Sequence, residues 1–262
     1  MRGSEEVRKW LIEFRDEGLI VKVRVRKDGI YRLIDKADEE IMWWEGKDID
    51  DSQVNLMLPF GLHKAIYIPR PSLVIITGDS NAGKTAVANV ILNYNQDRFE
   101  ESKLLMTEGL DLLRGRMKYA LPRCPTPPKF QTYRKMSHFE DDVLQDGLTV
   151  VDYLRPPNPT ALMSIGEPLE AIAAVVNKGT GIAVVCMQKP RGERGDAFGG
   201  VITQWDAALA MSIHTTSVKF ESYLKLNKIK KPLILDKDLY KLKIRFLIKH
   251  GIQLEELEKV YE

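Results

Sequence analysis

At 262 residues the chain is long enough for one large domain with a small appendage, and for a sizeable buried core. Its 39 Lys and Arg against 37 Asp and Glu leave a net charge of +2. That excludes a nucleic-acid field spread over the whole molecule, so any such contact must come from a local patch. Cys124 and Cys186 are too few and too far apart for a disulfide framework or a thiolate metal site, and no apolar run reaches membrane-spanning length. A protein of a reducing, cytoplasmic compartment with no membrane partner is expected. The opening "MRGS" resembles an expression leader, so Met1 is not taken as the natural start.

The first predicted element is a short amphipathic helix over Glu5 to Gly18, with Val7, Trp10, Leu11 and Phe14 at helical spacing and a glycine at its end. The period then changes to two. In "LIVKVRVRKDGIYRLI", Val21, Val23 and Val25 fall on one face and Lys22, Arg24 and Arg26 on the other, with Asp28-Gly29 as a hairpin turn. A helix feeding a basic hairpin is similar to the end of a winged-helix module, which makes Lys22, Arg24 and Arg26 candidates for phosphate contact; the alternative is a solvated ribbon face. Residues 35–51 turn acidic around "IMWW" and read as a linker with one anchoring segment, in which Trp43 and Trp44 pack a small element or stack on a base. The expected division is residues 1–50 and 51–262.

Beyond Pro71 the pattern is α/β. Strand-like runs at Leu73–Thr77, Lys103–Thr107, Leu148–Val151 and Ile182–Met187 alternate with helical patterns that start at Gly83, Leu110 and Glu167. Such alternation predicts a mainly parallel sheet covered on both faces. From Trp205 onward, "WDAALAMSI", "VKFESYLKLNKI" and "LYKLKIRFLI" read as further strands without intervening helices, expected as antiparallel additions at one sheet edge.

The chemistry concentrates in "GDSNAGKT", Gly78 to Thr85, which fits G-x-x-x-x-G-K-[ST] without departure between an apolar strand and a helix. Glycines let the backbone curl so that successive N–H groups face phosphate oxygens, and the following helix presents its positive end. Gly78, Asp79, Ser80, Asn81, Ala82, Gly83, Lys84, Thr85 and Ala86 are therefore the expected ATP contacts, with Lys84 on the β and γ phosphates and the Thr85 hydroxyl on Mg²⁺. Asp152 closes the apolar strand of "LTVVDYL" and would lie at the carboxyl edge of the sheet beside the loop, as a second metal ligand or as a plain cap residue. Glu108, just past another strand in "KLLMTEGLDLLRGRM", either orients and polarises the attacking water or complements a helix dipole.

Together these segments resemble the RecA/DnaB superfamily of hexameric or filamentous DNA-dependent ATPases, over roughly Ser72 to Ile252. "MTEGLDLLRGRM" is similar to the segment whose glutamate activates water, and "TVVDYL" to the Walker B strand of DnaB-type replicative helicases. "AVVCMQKPRGERGDAFGG" is similar to a strand ending in a γ-phosphate-sensing glutamine, followed by a DNA-channel loop, which gives Gln188 the sensor role. Within that loop Lys189, Arg191 and Arg194 lie among glycines, a composition suited to tracking a phosphate backbone and shared with plain solvent loops. "NKIKKP" resembles the lysine segment that RecA-type subunits insert into a neighbour's ATP site, implicating Lys228 and Lys230, with Lys231 adjacent. No arginine stands where DnaB-like helicases usually carry one. The segment between "GRMKYA" and the Walker B strand is shorter and richer in proline than in bacterial replicative helicases, as in a compact viral or plasmid-borne relative.

The resemblance implies an ATP-hydrolysing, ring-forming helicase or translocase, a hexamer on single-stranded DNA working with other replication proteins. The alternative is a RecA- or RadA-like strand-exchange protein or a loader. Readings from other classes are a phosphate-loop kinase of small molecules, with "RGERG" as an arginine lid, and a nucleotide-gated regulator built on the basic hairpin.

Overall fold

A computed structural model describes residues 3–17, 20–22, 31–33, 55–156, 162–188 and 206–261. The chain divides into two compact units, Met1–Ser52 and Gln53–Glu262. In the first, helix α1 (Gly3–Asp16) ends beside an Arg15–Asp16 ion pair, and strands β1 (Ile20–Lys22) and β2 (Tyr31–Leu33) pair antiparallel with Lys22 opposite Tyr31. The expected helix is there, and the two short strands pair antiparallel within the stretch expected to form the hairpin. The turn at Asp28-Gly29, Arg24, Arg26, Trp43 and Trp44 lie outside the described residues.

The second unit is built on strands β3 (Ser72–Gly78), β4 (Ser102–Met106), β5 (Gln131–Arg134), β6 (Leu148–Leu154), β7 (Ile182–Gln188), β8 (Ala207–Thr215), β9 (Glu221–Ile229), β10 (Leu242–Lys249) and β11 (Gln253–Tyr261). Helices α2 (Lys84–Asn95), α3 (Leu110–Met117) and α4 (Gly166–Val176) follow β3, β4 and β6 in sequence. The sheet order is β11-β10-β9-β8-β3-β7-β6-β4-β5. From β8 through β5 every pairing is parallel, and from β8 outward through β11 every pairing is antiparallel.

Two differences from the sequence expectation have physical causes. The late strands are not all antiparallel additions: β8 joins the parallel set, with Leu73 opposite Ala207 and Gly78 opposite Ile213. Parallel pairing needs a crossover of a dozen or more residues, and the stretch after Gln188 supplies that length. The second difference is β5, which arises inside the proline-rich segment. Four residues suffice there because β5 is an edge strand that takes its ladder from β4 alone.

Side chains alternate cleanly across the parallel strands. Val74, Ile76, Leu104, Leu148, Val150, Ile182, Val184 and Cys186 pack with Val87, Ile91 and Leu92 of α2 in one core layer. Leu73, Ile75, Leu105, Val151, Ala183 and Val185 pack with Leu169, Ile172 and Val176 of α4 in the other. This period of two puts Asp152, which follows Leu148 and Val150 in phase, on the α2 face. Among the described residues no helix is long and apolar enough to cross a membrane.

Two asparagines fasten the segment ahead of β3. Asn95, fully buried at the end of α2, donates to the carbonyls of Met57 (2.8 Å) and Ile91 (2.7 Å) and accepts from Met57 N–H (2.8 Å). Asn55 donates to the carbonyls of His63 (2.9 Å) and Ile66 (2.8 Å) and accepts from Ile68 N–H (3.0 Å). Removing Asn95 leaves the half-buried N–H and carbonyl of Met57 without their partner. Asn95→Ala is therefore expected to lower unfolding free energy by about 2–3 kcal/mol. Urea titration at constant m-value measures this, and an unchanged midpoint would refute the role.

Candidate nucleotide-binding and hydrolysis site

The parallel strands end at one edge, and the candidate site hangs from it. β3 stops at Gly78, where a side chain is impossible: a Cβ would stand 2.3 Å from the Ile213 carbonyl oxygen of β8. The same carbonyl accepts from Asp79 N–H at 3.3 Å, which fixes the departure of the loop from the sheet. The loop then curls through left-handed conformations at Asn81 (φ 62°) and Gly83 (φ 101°), the second of which favours glycine. Gly83 caps α2 without a side-chain acceptor, and no acidic residue lies in the first turn. The amide donors at the start of α2 are thus left to an anion.

Lys84 Nζ donates to the carbonyls of Gly78 (2.9 Å) and Asp79 (2.6 Å), so its ammonium lies over the loop that carries it. Burial pushes its pKa below the usual lysine value, against the pull of Cys186, Asp152 and Asp79. Thr85 Oγ1 donates to Asp152 Oδ1 at 3.1 Å. Asp152 is 3% exposed, and its carboxyl is pushed up to about 6, first by burial and then by the like charge of Glu108, against the Thr85 hydrogen bond, Arg116 and Lys84. Cys186, fully buried on β7, lies against the same carboxylate, and burial, then Asp152, raises its thiol well above the ordinary value.

Glu108 follows β4 and reaches the cleft opposite the loop. Its Oε2 accepts from Arg116 Nη1 at 2.5 Å, the two side chains being 28% and 21% exposed. Lys84, Thr85, Glu108, Arg116, Asp152 and Gln188 line one open cleft of about 1210 Å³. Gln188 ends β7 directly opposite Gly78. The far wall is formed by the β8–β9 turn, residues 215–222, and the β10–β11 turn, residues 248–251.

Loop residues Ser80, Asn81 and Gly83 line the cleft, as do Thr85 and Ala86, whereas Ala82 is fully buried beneath the loop. Lys228 and Lys230 do not join the cleft of their own chain. Lys228 pairs with Ala210, and Lys230 N–H donates to the Ala208 carbonyl at 2.8 Å, near the start of β8, toward the opposite edge of the sheet from Gly78. Lys22 belongs to the N-terminal unit. Lys189, Arg191 and Arg194 lie outside the described residues. The sequence did not single out Arg116 or the two wall turns; Arg116 stands in the quoted helix segment, but no motif separates it from Arg114.

The donor set fits magnesium with a triphosphate. A hydroxyl and a carboxylate already in contact are hard oxygen ligands, and an uncapped helix start with a lysine supplies the anion's partners. For Asp152 the folded pKa of about 6 exceeds the ordinary 3.8. The raised value favours the folded chain below the ordinary pKa, and that stability is lost as pH rises through about 6, to on the order of 3 kcal/mol. Asp152→Asn should therefore raise the thermal midpoint of the nucleotide-free protein near pH 7.5, with the gain shrinking toward pH 4.5. Thermal unfolding across that range checks it, and a lowered midpoint at the higher pH would contradict it.

No protein-family model matches the chain, and no curated protein matches it in sequence. Solved structures do. A KaiC-like protein from the hyperthermophilic archaeon Pyrococcus horikoshii overlays with a TM-score of 0.55 at 16% identity, covering 79% of this chain and 99% of that one. The RadB recombinase overlays with a TM-score of 0.52 at 16% identity, covering 73% of this chain and 93% of that one. The likeness establishes the architecture: the chain has a RecA-like α/β fold, with a mainly parallel sheet and antiparallel strands along one edge.

Proposed function

We propose that this chain is an ATPase that works as an oligomer on single-stranded DNA, of the strand-exchange or loader kind. The observation that carries the reading is the contact of Thr85 with Asp152 beneath a phosphate loop, with Glu108 facing the same cleft. Backbone N–H groups of residues 83–85, at the start of α2, hold phosphate oxygens, and Lys84 exchanges its two loop carbonyls for the β and γ phosphates. The Thr85 hydroxyl and the Asp152 carboxylate would hold Mg²⁺, which when bound would neutralise charge on the phosphoryl oxygens. Glu108 accepts the proton of the water that attacks in line with the γ phosphate.

Gln188 links this chemistry to the polynucleotide. Its amide lies at the cleft, and the backbone that leaves it enters the basic loop of Lys189, Arg191 and Arg194, which grips phosphates without reading bases. Lys228 and Lys230, which do not line the cleft of their own chain, serve the cleft of a neighbouring copy as positive groups supplied in trans. Lys22, Arg24 and Arg26 add a second phosphate-contacting face in the N-terminal unit. The overlay with a recombinase along most of its length supports strand exchange or loading as the task. A replicative ring helicase is the second reading, favoured by the "TVVDYL" strand that ends in Asp152.

Four measurements test this. Single-stranded DNA is expected to stimulate ATP turnover, and electron microscopy with nucleotide and DNA is expected to show extended assemblies; closed hexameric rings would move the assignment to the helicase. Glu108→Gln should keep ATP bound while turnover falls by about 10² to 10⁴. Changing Lys189, Arg191 and Arg194 together to Ala should flatten the salt dependence of DNA binding. A monomer whose turnover ignores added oligonucleotide would overturn the proposal.

A further inference from the structure

Glu108 alone is poorly suited to aim a proton-accepting oxygen. It lies in the short connection between β4 and α3, ahead of the N-cap Gly109, and its flexible side chain must be ordered by something. Among the described residues the bond that orders it comes from Arg116, eight residues on in the last turn of α3. Arg114, the other basic residue of that turn, is exposed and takes no part in the cleft.

Arg116 is itself held. Gly251, in the β10–β11 turn at φ +70°, comes so close that a Cβ there would stand 3.3 Å from Arg116 Cγ and 3.4 Å from Nε. One turn further along the chain, the Tyr119 ring stacks on His250 with centroids 4.2 Å apart and planes 15° apart. Gln253 Nε2 donates to the Tyr119 carbonyl at 2.8 Å. Ile252, fully buried, packs with Ala120 and with Val90 of α2. The β10–β11 turn thus clasps the end of α3 and ties it to the helix that begins with Lys84 and Thr85.

From this geometry we propose that Arg116 is a positioning residue for hydrolysis, fixing the carboxylate of Glu108 while the β10–β11 turn fixes Arg116. The inference rests on the reading above that Glu108 activates water. It adds the reference frame: base and phosphate loop are held at a set separation because both are anchored to the same turn. The fork of an arginine suits this role better than an ammonium, since its planar donors fix the direction of the carboxylate as well as its distance. Arg116 acts through Glu108 and not on the nucleotide.

Steady-state turnover, binding of a fluorescent ATP analogue and thermal unfolding, measured on the full chain with Arg116→Ala, Arg116→Lys, Arg114→Ala, Glu108→Gln and the Arg116→Ala/Glu108→Gln double variant, test this. Arg116→Ala is expected to lower kcat by about 10 to 100-fold with KM for ATP within about twofold. Arg116→Lys should recover part of the loss, and Arg114→Ala should behave as the parent. In the Glu108→Gln background Arg116→Ala should cost nothing more, because both remove the same contribution. If Arg116→Ala does not fold, Arg116→Gln, which keeps most of the stem against Gly251, takes its place with the same expectation. A folded variant with parental kcat, a raised KM at unchanged kcat, or losses that multiply in the double variant would overturn the inference and leave the role of Glu108 standing. Normal turnover by Glu108→Gln would instead remove the base assignment, and the inference with it.

Discussion

Parallel pairing of β3 with β7, of β7 with β6 and of β6 with β4 is the constraint from which the cleft follows. Strands that run the same way end side by side, so Gly78, Gln188, Asp152 and the residues after Met106 emerge along one edge with no further instruction. The register is tight: Gly78 stands opposite Gln188, and Met106 opposite Asp152. The alternation of faces then decides which side chains meet α2. A one-residue slip in β6 would turn Asp152 toward α4 and offer Thr85 an apolar side chain in its place.

The same placement sets up an electrostatic tension. Asp152 is buried and Lys84 half-buried at the phosphate loop, and each is pushed toward its neutral form by burial. Their mutual attraction and the Thr85 hydrogen bond offset part of that cost. Groups kept in such balance respond strongly to an arriving anion and its counter-ion, as the proposed nucleotide site would require. The rest of the unit supplies the rigidity: apolar layers on both faces of the sheet and the asparagine pair that fastens residues 55–68.

How much of this could be read beforehand depended on the range of the interaction. The phosphate loop, Asp152 and Glu108 were legible because each is a local pattern, a strand followed at once by a chemically loaded turn. The α/β alternation and the three helix starts were legible for the same reason. What could not be read depends on partners distant in sequence. Arg116 is separated from Arg114 only by which one turns toward Glu108 and Gly251, and that is a property of packing. β8 is an apolar run whose direction its composition does not state, and only the placement of β3 beside it makes that pairing parallel. β5 was hidden by the prolines of the segment before it, and the two turns walling the cleft have no motif at all.

The outermost antiparallel strand has a consequence of its own. β11 exposes Glu255, Glu256 and Glu258, and Lys249, Arg245 and Lys259 engage these carboxylates within the same protomer. A second molecule laid along this border would have to desolvate these charged side chains, and the opposite border offers merely the four residues of β5. Continuous backbone laddering from one copy to the next is therefore disfavoured at both margins. Copies that meet would do so through side-chain surfaces, a junction that can loosen and re-form while each sheet stays whole.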